Sequence, residues 1–229
     1  ERLARQTARQ FVDREVLPCI EKHNREATFP LHLVPQLAAL GFLGATLPGY
    51  GCAGMSHVAY GQVMQELERG DSGLRSFVSV QSALVMHPIH EFGSPAQKEK
   101  WLPRLQEGKA IGCFGLTEPQ SGSNPAALLM RAVRRGSGYV LNGEKLWITN
   151  GSLADVAVIW AKTEDDRVLG FLVEKGTPGF KAWDLHGKLP LRASVTSGLA
   201  FTDCALPAEN VLPGVEGLRG PLSCLTQAR

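Results

Sequence analysis

Over residues 1–108 the apolar positions fall at helical spacing. Leu3, Thr7, Phe11, Val12, Val16 and Ile20 approximate one stripe flanked by Arg and Glu, which predicts a helix from the start of the chain. After Pro30, the positions Leu33, Leu37 and Leu40 repeat at i, i+4 and i+7, and Gly41 is a natural stop. Residues 47–55 (LPGYGCAGM) are glycine-rich and predict a loop. Ser56 then opens a helix running through Met64 and Leu67, and a second apolar run follows from Leu74 to Phe92. Ser94-Pro95-Ala96-Gln97 combines a capping hydroxyl, a proline at the first helical position and a capping-box partner. Trp101, Leu102 and Leu105 form the face of that helix, and Gly108 ends it.

The period then changes. Asn142-Gly143, inside YVLNGEKLW, predicts a tight β-turn between two strands. Further strands are expected at 156–161, 169–173, 180–185 and 198–201, with turns between them. Pro207, Pro213 and Pro221 punctuate the exit, and 218–229 reads as the start of a new helix. The expected fold class is therefore α+β: an all-helical domain over 1–108, an antiparallel β-sandwich or small barrel over 109–213, and the start of a further helical domain at 214–229.

Composition narrows the class without naming a chemistry. The 229 residues are 44% hydrophobic and 20% charged, an ordinary globular balance, with a net charge of +2. No basic stripe or recognisable module points to nucleic acid. No run approaches the roughly 20 apolar residues of a membrane span. Five scattered cysteines form no ligand set and read as free thiols. The six histidines form no metal set either; His87 and His90 are three apart with Pro88 between them, no carboxylate at matching spacing completes a site, and core or helix-end roles suit them. There is no initiator Met, so the chain reads as a fragment.

Two segments carry candidate chemistry. Residues 113–124 (CFGLTEPQSGSN) supply backbone amides, turn glycines at Gly115 and Gly122, and hydroxyls at Thr117, Ser121 and Ser123. The same composition also makes an ordinary Ser/Gly loop. Glu118 reads as a solvated carboxylate or a turn acceptor. In residues 146–150 (LWITN), Trp147 and Thr149 straddle Ile148 on a strand and so share a face. That indole either lies against a flat ring or fills an inter-domain core. A flat, phosphate-bearing cofactor needs both kinds of surface. Arg75 is the most conspicuous charge, set among Ser72, Ser76 and Ser79 in a charge-poor stretch. It suits a carboxylate ligand, or a structural pair with Glu68 seven residues earlier.

These segments, together with 49–61 (GYGCAGMSHVAYG), 67–89 (LERGDSGLRSFVSVQSALVMHPI), LRASVT, PAENVLPG and LSCLTQAR, resemble the acyl-CoA dehydrogenase family, and within it the glutaryl-CoA dehydrogenases. The resemblance implies FAD, with Phe114, Gly115, Leu116, Thr117, Gly122 and Ser123 along the isoalloxazine and Trp147, Ile148 and Thr149 beside it. It implies that Ser123, Leu222, Leu225, Thr226 and Arg229 hold the CoA thioester arm. Arg75, with Ser76 and Ser79 near it and Glu68 behind, would bind the distal carboxylate of a glutaryl group. Asn124 departs from the Asp of the common motif, and Leu74 replaces a Tyr found in some relatives.

The implied reaction of the complete protein is oxidation of glutaryl-CoA with decarboxylation to crotonyl-CoA and CO2, electrons passing to an electron-transfer flavoprotein. The implied assembly is a homotetramer, in the cytoplasm of a bacterium or the mitochondrial matrix of a eukaryote. The implied catalytic base is a Glu in a C-terminal helical domain, so no catalytic residue is expected within this chain and the fragment alone is expected to be inactive. Three alternatives stay open: a short-chain or branched-chain acyl-CoA dehydrogenase, a glutaryl-CoA dehydrogenase that does not decarboxylate, and a non-catalytic acyl-CoA-binding fragment.

Overall fold

The computed structural model describes residues 1–215 and 217–229. The helical stripe at the start becomes α1 (Arg2–Phe11), a π-helical turn (Val12–Val16) and α2 (Leu17–Glu26). Its inward residues are Ala8, Phe11, Val12, Val16 and Ile20, whereas Leu3 is exposed. α3 (Val34–Ala39) follows, and the chain leaves it with Gly41 at φ +71°, a conformation that favours glycine. α4 (His57–Gly70) starts at Ser56, whose hydroxyl accepts from the Ala59 amide at 3.1 Å. α5 (Ser72–Ser79), a π-helical segment (Val80–Met86) and α6 (His87–Phe92) run on as one helical stretch. α7 (Pro95–Gln106) has the full capping box between Ser94 and Gln97.

Seven strands make one curled mixed sheet: β1 (Gly112–Gly115), β2 (Arg131–Arg135), β3 (Gly138–Thr149), β4 (Val156–Lys162), β5 (Val168–Glu174), β6 (Phe180–Asp184) and β7 (Thr196–Leu206). The order is β1-β4-β2-β3-β7-β6, with β5 on β4. The sheet is not purely antiparallel as expected, because β4 pairs in parallel with β1 and, at Arg131↔Lys162, with β2. The long excursion from β1 to β2 lets the chain re-enter in the same direction. α8 (Arg219–Ala228) follows the sheet and packs on the π-helical segment of the long helix.

Asn142-Gly143 is not the hairpin turn that its sequence suggests. Both residues lie inside β3, and the two-residue turn from β2 is Gly136-Ser137. Asn142 instead exchanges hydrogen bonds with Asp203 on β7, and Gly143 (φ +143°) sits at a bulge where a Cβ would come within 2.9 Å of Met130.

Three apolar cores result among the described residues. One lies among α1–α5, one inside the curl of the sheet, and the third joins the long helix, α7, β4, β5 and α8. At the helix–sheet junction the buried amide of Gln81 donates to Leu105 O (3.1 Å) and Ala110 O (2.9 Å) and accepts from Gly112 N (2.9 Å). Every polar group of that side chain is thereby matched, which makes its burial tolerable. Elsewhere Glu66, 1% exposed, gathers Arg5, Arg9 and Arg69 and so ties α1 to α4.

Candidate functional site

The third core opens into a cleft of about 300 Å3. One wall comes from Val80 and Leu84 of the π-helical segment, and another from Leu222, Leu225 and Arg229 at the end of the chain. The floor and far wall are Phe114 at the end of β1, Leu116, Thr117, Gly122, Ser123 and Pro125 in the following loop, and Trp147, Ile148 and Thr149 on β3. The volume is at the lower end of ligand pockets, about 300–1,000 Å3.

Local backbone geometry explains the presentation. Alternation along β3 from Leu141 points Lys145 inward, and would bury Trp147 with it. A register shift between Lys145 and Ile148 interrupts the alternation, and Trp147 takes φ +62°. Ile148 is buried in its place, and the indole of Trp147 is left 61% exposed at the cleft. So Trp147 and Thr149 do reach one site, but through a bulge rather than through simple alternation. A bulky residue in the left-handed region costs about 1–3 kcal/mol and persists only where the surroundings hold it.

The flanking glycines differ in purpose. A Cβ at Gly115 would come within 2.6 Å of Ile159 and 3.2 Å of the Lys145 stem, so close packing of β1 on its neighbours requires glycine there. At Gly122 nothing lies closer than Thr117 Cγ2 at 4.0 Å, so a side chain would meet no clash there. The hydroxyls of Thr117, Ser123 and Thr149 make no hydrogen bond to protein among the described residues, whereas Ser121 is spent on Asn124 O at 2.7 Å. Asn124 precedes a short 3₁₀ turn (Pro125–Ala127) without capping it through its side chain.

Glu118 is neither solvated nor idle. It is 3% exposed and accepts from Lys145 Nζ (2.8 Å), Met130 N (3.0 Å), Leu129 N (2.6 Å) and Gln120 Nε2 (2.7 Å). Lys145, 0% exposed, donates also to Leu116 O at 3.1 Å. Burial alone would raise the Glu118 pKa, but the Lys145 charge and the two amides outweigh it and hold the carboxylate below its ordinary range. Burial pushes Lys145 down to about 8, with Glu118 opposing the change. The pair was missed because a Lys in a strand reads as exposed; its only signal is the inward parity from Leu141.

The residues expected around a distal carboxylate stand apart from this cleft lining. Arg75 Nε donates to Glu68 Oε2 at 2.8 Å, with side chains 36% and 46% exposed, and Ser72 also donates to Glu68. Asp71 caps α5 just before Arg75, accepting from Gly73 N at 2.7 Å. Ser79 is buried and Ser76 half-buried. Arg75 precedes Val80 by five residues on one helical stretch, about 7.5 Å along the axis. Close by, the hydroxyl of Tyr60 is buried beside Ser79 and Ser82, though neither meets hydrogen-bond geometry with it; burial pushes it up to about 12 against the opposing charge of Arg75. Thr226 is exposed, and its hydroxyl bonds Leu222 O within α8. Gly115 underlies the cleft without lining it.

Among the described residues the lining contains one charged side chain, Arg229, and neither a carboxylate nor a histidine. Among the described residues no group of three or more His, Cys, Asp or Glu gathers to hold a metal ion, and no helix is long and apolar enough to cross a membrane.

Sequence profiles of the acyl-CoA dehydrogenase N-terminal and middle domains match residues 1–109 and 113–204. The mitochondrial short-chain specific acyl-CoA dehydrogenase of Rattus norvegicus is 37% identical over 220 residues, covering 93% of this chain and 53% of the relative. The mitochondrial isovaleryl-CoA dehydrogenase of Pongo abelii is 36% identical, covering 93% and 52%. The crystal structure of a glutaryl-CoA dehydrogenase from Mycobacterium smegmatis in complex with FADH2 superposes with a TM-score of 0.98 at 56% identity, covering 99% of this chain and 58% of that one. The chain thus spans a little over half the length of each protein. It belongs to the acyl-CoA dehydrogenase family, an oxidoreductase family whose N-terminal and middle domains it carries.

Proposed function

We propose that this chain supplies the N-terminal and middle parts of an FAD-dependent acyl-CoA dehydrogenase whose substrate is glutaryl-CoA, oxidised with decarboxylation to crotonyl-CoA and CO2. The observation that carries the reading is the cleft: a largely exposed indole and three residues whose hydroxyls have no protein partner among the described residues line one space beside Phe114. Such a surface fits a flat ring with a polar edge. When bound, FAD supplies the acceptor for the hydride leaving the β-carbon of the acyl thioester. Phe114, Leu116 and Ile148 would exclude water from the ring, Trp147 would lie against it, and Thr117, Ser123 and Thr149 would hold its polar edge. Ser123, Leu222, Leu225 and Arg229 hold the thioester arm, Arg229 adding positive charge.

Arg75 would then anchor the distal carboxylate, with Ser76 and Ser79 beside it and Glu68 fixing the guanidinium. The likeness to the glutaryl-CoA dehydrogenase of Mycobacterium smegmatis supports this assignment. Among the described residues lining the cleft none is a carboxylate or a histidine, and Glu118 has its acceptor positions filled, so none of these residues is assigned the role of base. A homotetrameric assembly and an electron-transfer flavoprotein as acceptor belong to the same proposal.

A short-chain or branched-chain acyl-CoA dehydrogenase is the second reading, favoured by the Glu68 contact that already gives Arg75 a partner. The flavin assignment is tested by the visible spectrum of the full-length protein after incubation with excess FAD and removal of the free cofactor. Retained flavin absorbance is expected; its absence contradicts the assignment.

A further inference from the structure

We propose that the buried Glu118–Lys145 ion pair is a positioning device that preforms the flavin-facing wall, locking the loop after β1 to the Trp147 bulge before any cofactor arrives. The inference rests on the flavin reading above for what the wall receives. It rests on geometry for the lock itself.

The loop leaves β1 at Gly115 and rejoins the sheet at Arg131. Both of its ends meet on one carboxylate. Glu118 lies at the outgoing end and accepts the amides of Leu129 and Met130 at the returning end, at 2.6 and 3.0 Å. Lys145 clamps the same outgoing end by donating to Leu116 O at 3.1 Å and Glu118 Oε1 at 2.8 Å. The next residue continues the tie, Leu146 N donating to Thr117 O at 3.0 Å. One residue further, Trp147 takes its left-handed conformation. The cleft residues Thr117, Ser123 and Trp147 therefore hang from one charged knot that is almost wholly shielded from water.

A buried pair is an expensive way to add stability, and replacing both partners with neutral groups is often tolerated. What an apolar replacement cannot reproduce is the simultaneous holding of two backbone amides and a carbonyl in fixed directions. The pair touches no cleft space itself, so its effect on a ligand passes through the loop and through Trp147. It is a positioning element and not a catalytic one.

The test uses the full-length protein, with Lys145→Met, Glu118→Gln and the double neutral variant. In the apoprotein, amide exchange at Leu129, Met130 and Trp147 is expected to accelerate in Lys145→Met relative to the rest of the sheet. With FAD, the dissociation constant is expected to rise about ten- to hundred-fold, the scale of a charged hydrogen bond. The visible circular dichroism of the bound flavin is expected to change shape, and Trp147→Ala is expected to cost less in the Lys145→Met background than in wild type. Where a single variant fails to fold, the double variant decides. A double variant with wild-type unfolding temperature, wild-type FAD affinity and wild-type flavin dichroism overturns the proposal. If wild type itself retains no FAD, the flavin reading fails, while unchanged exchange at Leu129 and Met130 independently overturns the lock.

Discussion

Arg75 and Glu66 are both arginine–carboxylate sites, yet their physics differs. The Arg75–Glu68 pair is more than one-third exposed at each partner, so it adds about 0–1 kcal/mol to stability. Arg75→Gln is therefore expected to fold normally and to show its effect in substrate choice. An unpaired substrate carboxylate predicts a ten- to hundred-fold loss of kcat/KM for glutaryl-CoA relative to butyryl-CoA, on the order of 1.5–3 kcal/mol. Equal losses on both thioesters, in steady-state assays of the full-length enzyme, reject the anchor role. Glu66 is instead 1% exposed. Burial opposes its charge, but Arg9, Arg5 and Arg69 overcome that and draw it down to about 2. A depressed carboxylate stabilises the fold fully above its ordinary value of 4.5 and loses that contribution as pH falls through about 2. Because the arginines are themselves partly exposed, Glu66→Gln is expected to cost about 1.5–2 kcal/mol at neutral pH. Denaturant melts should show that gap closing between pH 4.5 and about 2; a constant gap across this range contradicts the account. The Arg75–Glu68 alternative was legible from a seven-residue spacing, but Glu118 was not, because its partner lies 27 residues away across a strand.

At the level of elements, a local signal survived folding where its partners are local too, and failed where a distant strand claims the same residues. The capping box of α7 is complete because both of its partners lie within four residues. Ser94→Ala is expected to lower stability by about 1 kcal/mol, measured by denaturant unfolding, and no change would contradict the cap's role. β1 is absent from the strands that the sequence predicts, since four residues of GCFG acquire strand identity only from pairing with β4. Asn142-Gly143 carries genuine turn chemistry, but the bond network to Asp203 holds it inside a twelve-residue strand, opposite a bulge in β7. Gly143→Ala would meet both a φ of +143° and Met130 at 2.9 Å, and is expected to cost about 1–3 kcal/mol in thermal or denaturant unfolding. A neutral effect there would contradict the close approach of β3 to Met130.

In the whole molecule, the cleft depends on the helical part and the β part being held together at several points. Gln81 joins the long helix to the β1 entry, Gln97 donates to Glu209 O and Val211 O, and Arg192 donates to Asn24 O and Arg25 O at the end of α2. These ties place Val80 and Leu84 opposite Trp147, an arrangement that periodicity cannot disclose because each wall belongs to a different segment. The order of a helical part followed by a β part was legible in the period change; the parallel pairing of β4 was not, since it follows from where the chain re-enters. The most direct measurement of the central claim is anaerobic mixing of the FAD-loaded full-length protein with glutaryl-CoA, following the oxidised flavin band and released CO2. Loss of the band together with CO2 release, and crotonyl-CoA as the product, is the predicted result. An unchanged flavin spectrum at saturating glutaryl-CoA, with bleaching by butyryl-CoA under the same conditions, contradicts it.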